Sequence, residues 1–348
     1  MIYLSVIIPA YNEESVIEAH INEVAEYLYR YFPDREKEFE VIIVDDGSID
    51  STAQIIDRLA AERKYLIALH HRKNMGRGRA LRTGFQGASG QFLLTLDADL
   101  SYSPDHIGRL LEALEKGEAD IVLASAFHPQ GRVSNVPAAR ALTSRLGNML
   151  LSLSLGGDLK TVTCVVRGYT REVIDSLILF SDDKDIHLEV ILKARMLGFK
   201  ISEIPAELKW RSQKRTSGTK GLSLPAFWKM ATRHLFFNFL FRPSMLSWFP
   251  FVLIALIFVA ISFALVIGYL MMLDNQPPDL GILRFYYALR EHILFAKVSY
   301  FVWSLCLLLL FQFSSLVFIA KQNNHFYKEI YSFLVYLLKQ GKHHEDKR

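Results

Sequence analysis

The chain has 348 residues, of which 51% are apolar and 22% charged, and its formal net charge is +4. That length suits one α/β domain with an appendage, and so small a net charge gives no reason to expect a nucleic-acid partner. Two cysteines, Cys164 and Cys306, supply neither a disulfide framework nor a zinc pattern, which fits a reducing compartment.

The first 220 residues alternate strand and helix signals. Leu4–Pro9, Val41–Val44, Leu66–His70, Phe92–Leu96 and Ile121–Ala124 read as short apolar strands. Helical patterns at Glu14–Tyr29, Ser51–Glu62 and Pro104–Lys116 lie between them. This rhythm predicts a mostly parallel sheet flanked by helices, an α/β fold, over residues 1–222. The first apolar run, Leu4–Ile8, is too short for a signal peptide.

The composition then changes. Between Lys209 and Arg242 there are eight Lys/Arg and no Asp or Glu. Within this stretch Ser223 is placed to cap a helix, and Leu224, Phe227, Trp228, Ala231, Leu235 and Phe239 keep helical spacing. Residues 223–243 are therefore expected to form an amphipathic helix in a membrane interface, the alternative being that its apolar face packs on the α/β domain. Met245–Leu273 holds 29 residues without a charge and Val298–Ala320 holds 23. At about 1.5 Å per residue, 23 residues reach roughly 35 Å, enough to span a bilayer core of about 30 Å. Residues 244–322 thus read as a two-helix transmembrane hairpin with Pro250 in its first turn, Trp248, Tyr300 and Trp303 near its ends, and a connecting loop Asp274–Lys297. That loop balances three Lys/Arg with three Asp/Glu, whereas the segment before the hairpin and the tail 323–348 are basic. The positive-inside rule puts both termini in the cytoplasm.

Open α/β sheets bind ligands beyond the carboxyl ends of their strands. Three polar clusters follow strands here: Pro9-Ala-Tyr-Asn-Glu-Glu14, Asp45-Asp-Gly-Ser48 and Asp97-Ala-Asp99. Two carboxylates two residues apart past a buried strand suit Mg²⁺ or Mn²⁺, hard cations that bind diphosphate. Asp183-Lys-Asp185 has the same spacing, but no apolar strand feeds it. Asp45 and Asp46 are placed to accept hydrogen bonds from a nucleobase or ribose, while Asp50 or Ser51 caps the next helix. Tyr11 either stacks on a base or packs; Glu13 either bonds ribose or complements a helix N-terminus. After the third strand, Gly76 and Gly78 permit a tight backbone and Arg77 is placed to meet phosphate, with His70 and His71 read as structural.

Taken jointly, Leu4-Ser-Val-Ile-Ile-Pro-Ala-Tyr-Asn-Glu-Glu14, Val44-Asp-Asp-Gly-Ser48, Asn74-Met-Gly-Arg-Gly78 and Leu96-Asp-Ala-Asp-Leu100 resemble a family-2 glycosyltransferase of the GT-A fold. Within that family the chain is most similar to dolichyl- and polyprenyl-phosphate sugar transferases. The resemblance implies that Pro9, Tyr11, Glu13, Val44 and Asp46 hold the nucleoside, and that Asp97, Ala98 and Asp99 hold the diphosphate and its Mg²⁺ or Mn²⁺. It implies that Glu189 lies near the acceptor, and that Arg211, Lys214, Arg215 and Lys220 grip phosphates. Asp97, Asp99 and Arg211 are then the catalytic candidates. Three departures mark this chain. Ser101 stands where relatives often carry glutamine, and Ala126 where they usually carry arginine. The pattern Asp-x-x-Ser-Gly-Phe is missing around Thr161–Tyr169. Arg167 is the arginine available to replace the one missing at Ala126.

The expected activity is inverting, metal-dependent transfer of a sugar from a GDP- or UDP-linked donor to a membrane polyprenyl phosphate. The acceptor is already an anion, so no strong base is required. An alternative keeps the donor and moves transfer to a lipid or glycan hydroxyl, with Glu189 or another acid as base. A non-enzymatic alternative is a membrane tether or nucleotide-sugar sensor.

Overall fold

The computed structural model describes residues 2–33, 38–155, 157–210 and 243–345. Five expected strands appear in place: β1 (Leu4–Ala10), β2 (Phe39–Asp45), β3 (Leu66–His70), β4 (Phe92–Thr95) and β5 (Ile121–Ser125). β1, β2, β4 and β5 are buried almost throughout, which is why they read as continuous apolar runs rather than alternating ones. Between them run α1 (Ile17–Tyr31), α2 (Thr52–Glu62), α3 (Arg77–Gly87) and α4 (Asp105–Glu115). α1 buries Ile17, Ile21, Val24 and Leu28, and α4 buries Ile107, Leu110, Leu111 and Leu114, each set at helical spacing.

Further elements follow: β6 (Arg132–Ser134), α5 (Ala138–Leu155), β7 (Arg167–Thr170), α6 (Arg171–Ser176), α7 (Ile186–Met196), β8 (Ile201–Pro205) and β9 (Glu207–Lys209). Seven strands form one sheet in the order β3-β2-β1-β4-β7-β5-β8, and β6 pairs with β9. Every pairing in the large sheet is parallel except those of β7, which runs antiparallel to both β4 and β5. The reversal places Arg167 opposite Thr95. The chain entering β7 therefore lies at the edge where β4 ends and Asp97 follows.

The chain divides into two compact units, Met1–Gly221 with Ile330–Arg348, and Leu222–Glu329. The second contains α8 (Pro243–Asp274), α9 (Leu283–Phe295) and most of α10 (Lys297–Glu345). Two stretches, Pro250–Asp274 and Lys297–Leu337, are long and apolar enough to cross a membrane. Two sequence expectations change here. Pro250 is inside α8 rather than in its first turn, because the helix already starts at Pro243. The connecting segment is not a plain loop: α9 folds back on α8, burying Ala288 and His292, with the His292 ring against Gly268. Trp303 donates to Ser262 Oγ at 2.7 Å and stacks on Phe258. Ser262 lies mid-helix and Trp303 in the second turn of α10, so this contact ties the two long helices together. The expected amphipathic helix 223–243 lies outside the described residues, apart from its last residue, which begins α8.

Candidate active site

Pro9 and Val44 are register partners at the ends of β1 and β2. Beyond them, the two following loops are tied together by their own side chains. The Asn12 amide donates to Ser48 Oγ at 2.9 Å, and Asn12 Oδ1 accepts from the Ile49 amide at 2.9 Å. The Glu13 amide donates to Thr52 Oγ1, and the Ser51 amide to Glu14 Oε2. Asn12 adopts φ 54°, a left-handed conformation that asparagine tolerates. Tyr11 is left 42% exposed on this rim. Asp50, not Ser51, serves the start of α2, accepting from the Thr52 amide and hydroxyl.

The two aspartates after β2 are buried and already engaged. Asp45 accepts from the Ser48 amide and contacts His70 Nδ1. Asp46 Oδ1 accepts from the Met75 amide at 2.9 Å and lies 2.7 Å from His71 Nδ1, while Oδ2 accepts from the Gly76 amide at 2.9 Å. Asp46 thus builds the turn that launches α3. Gly76 there has φ 97°, and a side chain at Gly78 would overlap the Ser181 and Asp183 carbonyls. Tight backbone packing of this turn against residues 181–183 is why both positions are glycine. The Arg79 amide and the Arg82 guanidinium complete the contact through the Asp182 and Phe180 carbonyls.

This turn delivers Arg77 to the aspartates after β4, where its Nη1 is 3.8 Å from Asp97 Oδ1. Burial pushes the Asp97 carboxyl up to about 6, against the pull of Arg77 and with added repulsion from Asp99. A second positive charge beside the two carboxylates would relieve that repulsion. Asp99 Oδ1 accepts from the Ser101 amide at 3.0 Å. The Ala98 carbonyl accepts from His20 Nδ1 at 2.7 Å, which fixes the protonated nitrogen of that ring because a carbonyl only accepts. Among the described residues no third His, Cys, Asp or Glu joins the pair. Two carboxylates fit Mg²⁺ or Mn²⁺, which take their remaining ligands from phosphate and water. They do not fit a closed structural zinc site.

Three further segments reach the same edge. The Lys209 amide donates to the carbonyl of Ser101, two residues past Asp99, at 2.8 Å, so the start of the acid-free basic stretch is fixed beside that turn. Its remaining members, including Arg211, Lys214, Arg215 and Lys220, lie outside the described residues. Thr161 Oγ1 meets Ser125 Oγ and the Phe127 amide, closing over buried Ala126. Asn148 of α5 accepts at Oδ1 from the Val162 and Thr163 amides.

Arg167 corrects the sequence reading. It is fully buried, and its guanidinium donates to the carbonyls of Cys164, His187 and Val162 at 2.7–2.9 Å. It fastens the 162–164 turn to the start of α7 and does not replace an exposed arginine at Ala126. Glu189 is also buried, accepting from the Phe180 and Ser181 amides and from Lys193. Burial opposes its charge, but Lys193 and the two amides outweigh it and hold the carboxyl below its ordinary range. His187 is held neutral by burial and by the charges of Arg167, Arg77 and Lys184. Sequence reasoning missed His20 and Asn148. Neither carries a local signal, since each acts on a segment distant in sequence.

A mostly parallel sheet that ends in two mutually bonded loops, an Asp-x-Asp turn and an arginine beside it is the architecture of a GT-A glycosyltransferase. The chain belongs to glycosyl transferase family 2, whose profile matches residues 5–178. It is 35% identical over 208 residues to glycosyltransferase AglD of Haloferax volcanii, covering 59% of this chain and 32% of that one. It is 32% identical to undecaprenyl-phosphate 4-deoxy-4-formamido-L-arabinose transferase of Proteus mirabilis, covering 50% of this chain and 51% of that one. It is also 32% identical to polyprenol monophosphomannose synthase of Mycolicibacterium smegmatis, covering 58% of this chain and 75% of that one. The match thus spans about a third of the first of these relatives and about half of the second. Glucosyl-3-phosphoglycerate synthase of Mycobacterium tuberculosis, solved with Mn²⁺, UDP-glucose and phosphoglyceric acid, shares the fold with a TM-score of 0.51 at 20% identity, covering 68% of this chain and 79% of that one.

Proposed function

We propose that the protein transfers a sugar, with inversion, from a GDP- or UDP-linked donor to a polyprenyl phosphate in the membrane that holds α8 and α10. The observation that carries this reading is the bond from the Lys209 amide to the Ser101 carbonyl. Lys209 is the first of eight Lys/Arg in a stretch of sequence with no acids, and its own backbone lies beside the Asp97–Asp99 turn. A basic stretch entered at that point supports a second phosphorylated substrate beside the donor. The names of the Proteus and Mycolicibacterium relatives point to the same acceptor class.

In this reading Pro9, Tyr11, Glu13 and Val44 border the nucleoside, and Asp46 acts by holding the turn of Arg77. Asp97 and Asp99 would hold Mg²⁺ or Mn²⁺, which would supply positive charge to offset that of the diphosphate. Arg77 adds a fixed positive charge on the same side. Arg211, Arg215 and Lys220 orient the acceptor phosphate, whose oxygen is the nucleophile without prior deprotonation. The hydroxyl-acceptor alternative needs a base, and Glu189 is poorly suited: its carboxylate is taken up by Lys193 and two amides. Both termini are placed in the cytoplasm by the flanking charges.

The test uses the full chain in proteoliposomes with radiolabelled GDP- and UDP-sugars and a polyprenyl phosphate. The expected product is a lipid that releases sugar in mild acid, and Asp99→Ala abolishes it. A product stable to mild acid, or full activity of Asp99→Ala, overturns the reading.

A further inference from the structure

Residues 177–182 run between α6 and α7 without helix or strand, so their backbone groups find partners outside any ladder. Side chains supply several of them. The Phe180 and Ser181 amides donate to Glu189, and Lys193 Nζ donates to the Ile178 carbonyl. The Arg82 guanidinium donates to the Phe180 carbonyl, and the Arg79 amide to the Asp182 carbonyl. A further bond comes from far along the chain: the Ile178 amide donates to the hydroxyl of Tyr331 at 3.1 Å, 153 residues on. Tyr331 lies on α10, in the segment Ile330–Arg348 that belongs to the same compact unit as the sheet. Lys321 and Lys328 separate it from the charge-free stretch that ends at Ala320. The Lys193 ammonium is 5.6 Å from the centre of the Tyr331 ring and 4.5 Å from that of Phe180, so one buried cation serves both rings. One turn beyond Tyr331, Val335 is buried, so this face of the helix is covered.

The same strap is packed on the turn that presents Arg77. A side chain at Gly76 would meet the Asp182 carbonyl, and one at Gly78 the Ser181 and Asp183 carbonyls. The two backbones leave no slack between them, so a shift of one moves the other. Arg77 stands between those glycines, with Nη1 3.8 Å from Asp97 Oδ1. We propose that Tyr331 is a positioning residue: its hydroxyl latches the 177–182 strap to the end of α10, and the latched strap holds Arg77 beside Asp97. Glu189 and Lys193 are the inner half of that latch, which gives this buried pair a role apart from any substrate. The ring alone would pack on Lys193 yet leave the Ile178 amide without this acceptor. Tyr331 lies outside residues 5–178 that match the family profile, so the support comes from this chain's own last helix. The effect on a nucleotide rests on the donor reading above; the latch itself does not.

The test compares the full chain in lipid nanodiscs with Tyr331→Phe, which removes only the hydroxyl. Tyr327→Phe, at an exposed tyrosine one turn earlier on α10, is the control. Hydrogen–deuterium exchange is read by peptide. Tyr331→Phe is expected to speed exchange about fivefold at residues 178–181 and about twofold at residues 75–82, with α4 and the Tyr327→Phe control unchanged. Equal exchange of parent and Tyr331→Phe at 178–181 overturns the latch. A rise of the same size at α4 marks general loosening and overturns the positioning role. Equilibrium binding of UDP and of GDP, each with Mn²⁺, gives the second readout. The nucleotide that binds the parent is expected to bind Tyr331→Phe about threefold more weakly. Unchanged affinity in a variant whose strap has loosened overturns the positioning role as well. If neither nucleotide binds the parent, the donor reading fails, and exchange at 75–82 decides the proposal: a rise sustains it and no change sinks it.

Discussion

His20 on α1 donates from Nδ1 to the carbonyl of Ala98 at 2.7 Å, joining the first helix to the middle of the Asp97–Asp99 turn. The ring is buried and the carbonyl has no solvent to turn to. The turn itself is only a few residues long, and Leu100 in it adopts φ 45°, a conformation that a leucine holds only under constraint. His20 is thus a brace on the turn that carries both carboxylates.

Replacing His20 with phenylalanine keeps the volume and removes the donor. The expected cost is about 1–3 kcal/mol of stability from the unpaired buried carbonyl. Mn²⁺ affinity is expected to fall about tenfold, as for other residues that orient metal ligands. Electron paramagnetic resonance of bound Mn²⁺ measures the second effect apart from turnover. Unchanged affinity in a folded variant would show that the turn stands without the brace.

Asp46→Asn tests whether this carboxylate is a scaffold. Asparagine has one acceptor oxygen where Asp46 serves Met75, Gly76 and His71 with two. Losing one buried charged hydrogen bond costs about 1.5–3 kcal/mol, or roughly 3–12 °C in thermal midpoint. The donor KM is expected to rise more than kcat falls, since Arg77 is positioned by this turn. A variant with normal melting and only weaker nucleotide binding would instead make Asp46 a direct ligand.

Gly78→Ala probes the packing of α3 on residues 181–183. Its Cβ would meet the Ser181 oxygen at 2.5 Å and the Asp183 oxygen at 2.6 Å, both backbone atoms with little room to yield. About 1–3 kcal/mol of destabilisation is expected, with faster amide exchange at residues 180–183. Gly117→Ala provides the contrast: nothing lies within 4 Å of its Cβ, and only its φ of 68° resists substitution.

Glu189 gives a signed pH dependence. Its carboxyl is held below the ordinary value of 4.5 in the folded chain. Its contribution is therefore present above that ordinary value and is lost as pH falls through the folded value. Thermal midpoints between pH 6 and about pH 3 are expected to fall less steeply for Glu189→Gln than for the parent. The variant also leaves Lys193 buried without its partner, at a cost of about 3–5 kcal/mol at neutral pH. A double replacement, Glu189→Gln with Lys193→Met, is expected to recover part of it. An unchanged acid slope would remove Glu189 from the account.

The polar clusters at the carboxyl edge of β1, β2 and β4 were legible because each signal was local. An apolar strand followed at once by polar residues marks a carboxyl edge, and Asp97 and Asp99 needed only the strand before them to be recognised. The residues expected around the acceptor were less legible. Arg167 read as the arginine available to replace the one missing at Ala126, yet three backbone carbonyls enclose it. Glu189 looked like an acid near the acceptor, yet its partners are Lys193 and the amides of a loop eight and nine residues earlier. Burial and partner choice are properties of packing, and spacing along the chain does not encode them.

The sequence by itself determined the parallel strands, the helices between them, the Asp-x-Asp turn and the two long apolar helices. Each follows from periodicity or length within a short window, where backbone geometry leaves few options. Only the tertiary structure decided that β7 runs antiparallel and brings the Thr161–Cys164 turn beside Asp97. It alone decided that His20 braces Ala98, that α9 folds back on α8, and that Asn148 of α5 holds the 162–163 turn. Those features depend on which distant segments meet, and that is fixed by the burial of the whole chain rather than by any stretch of it.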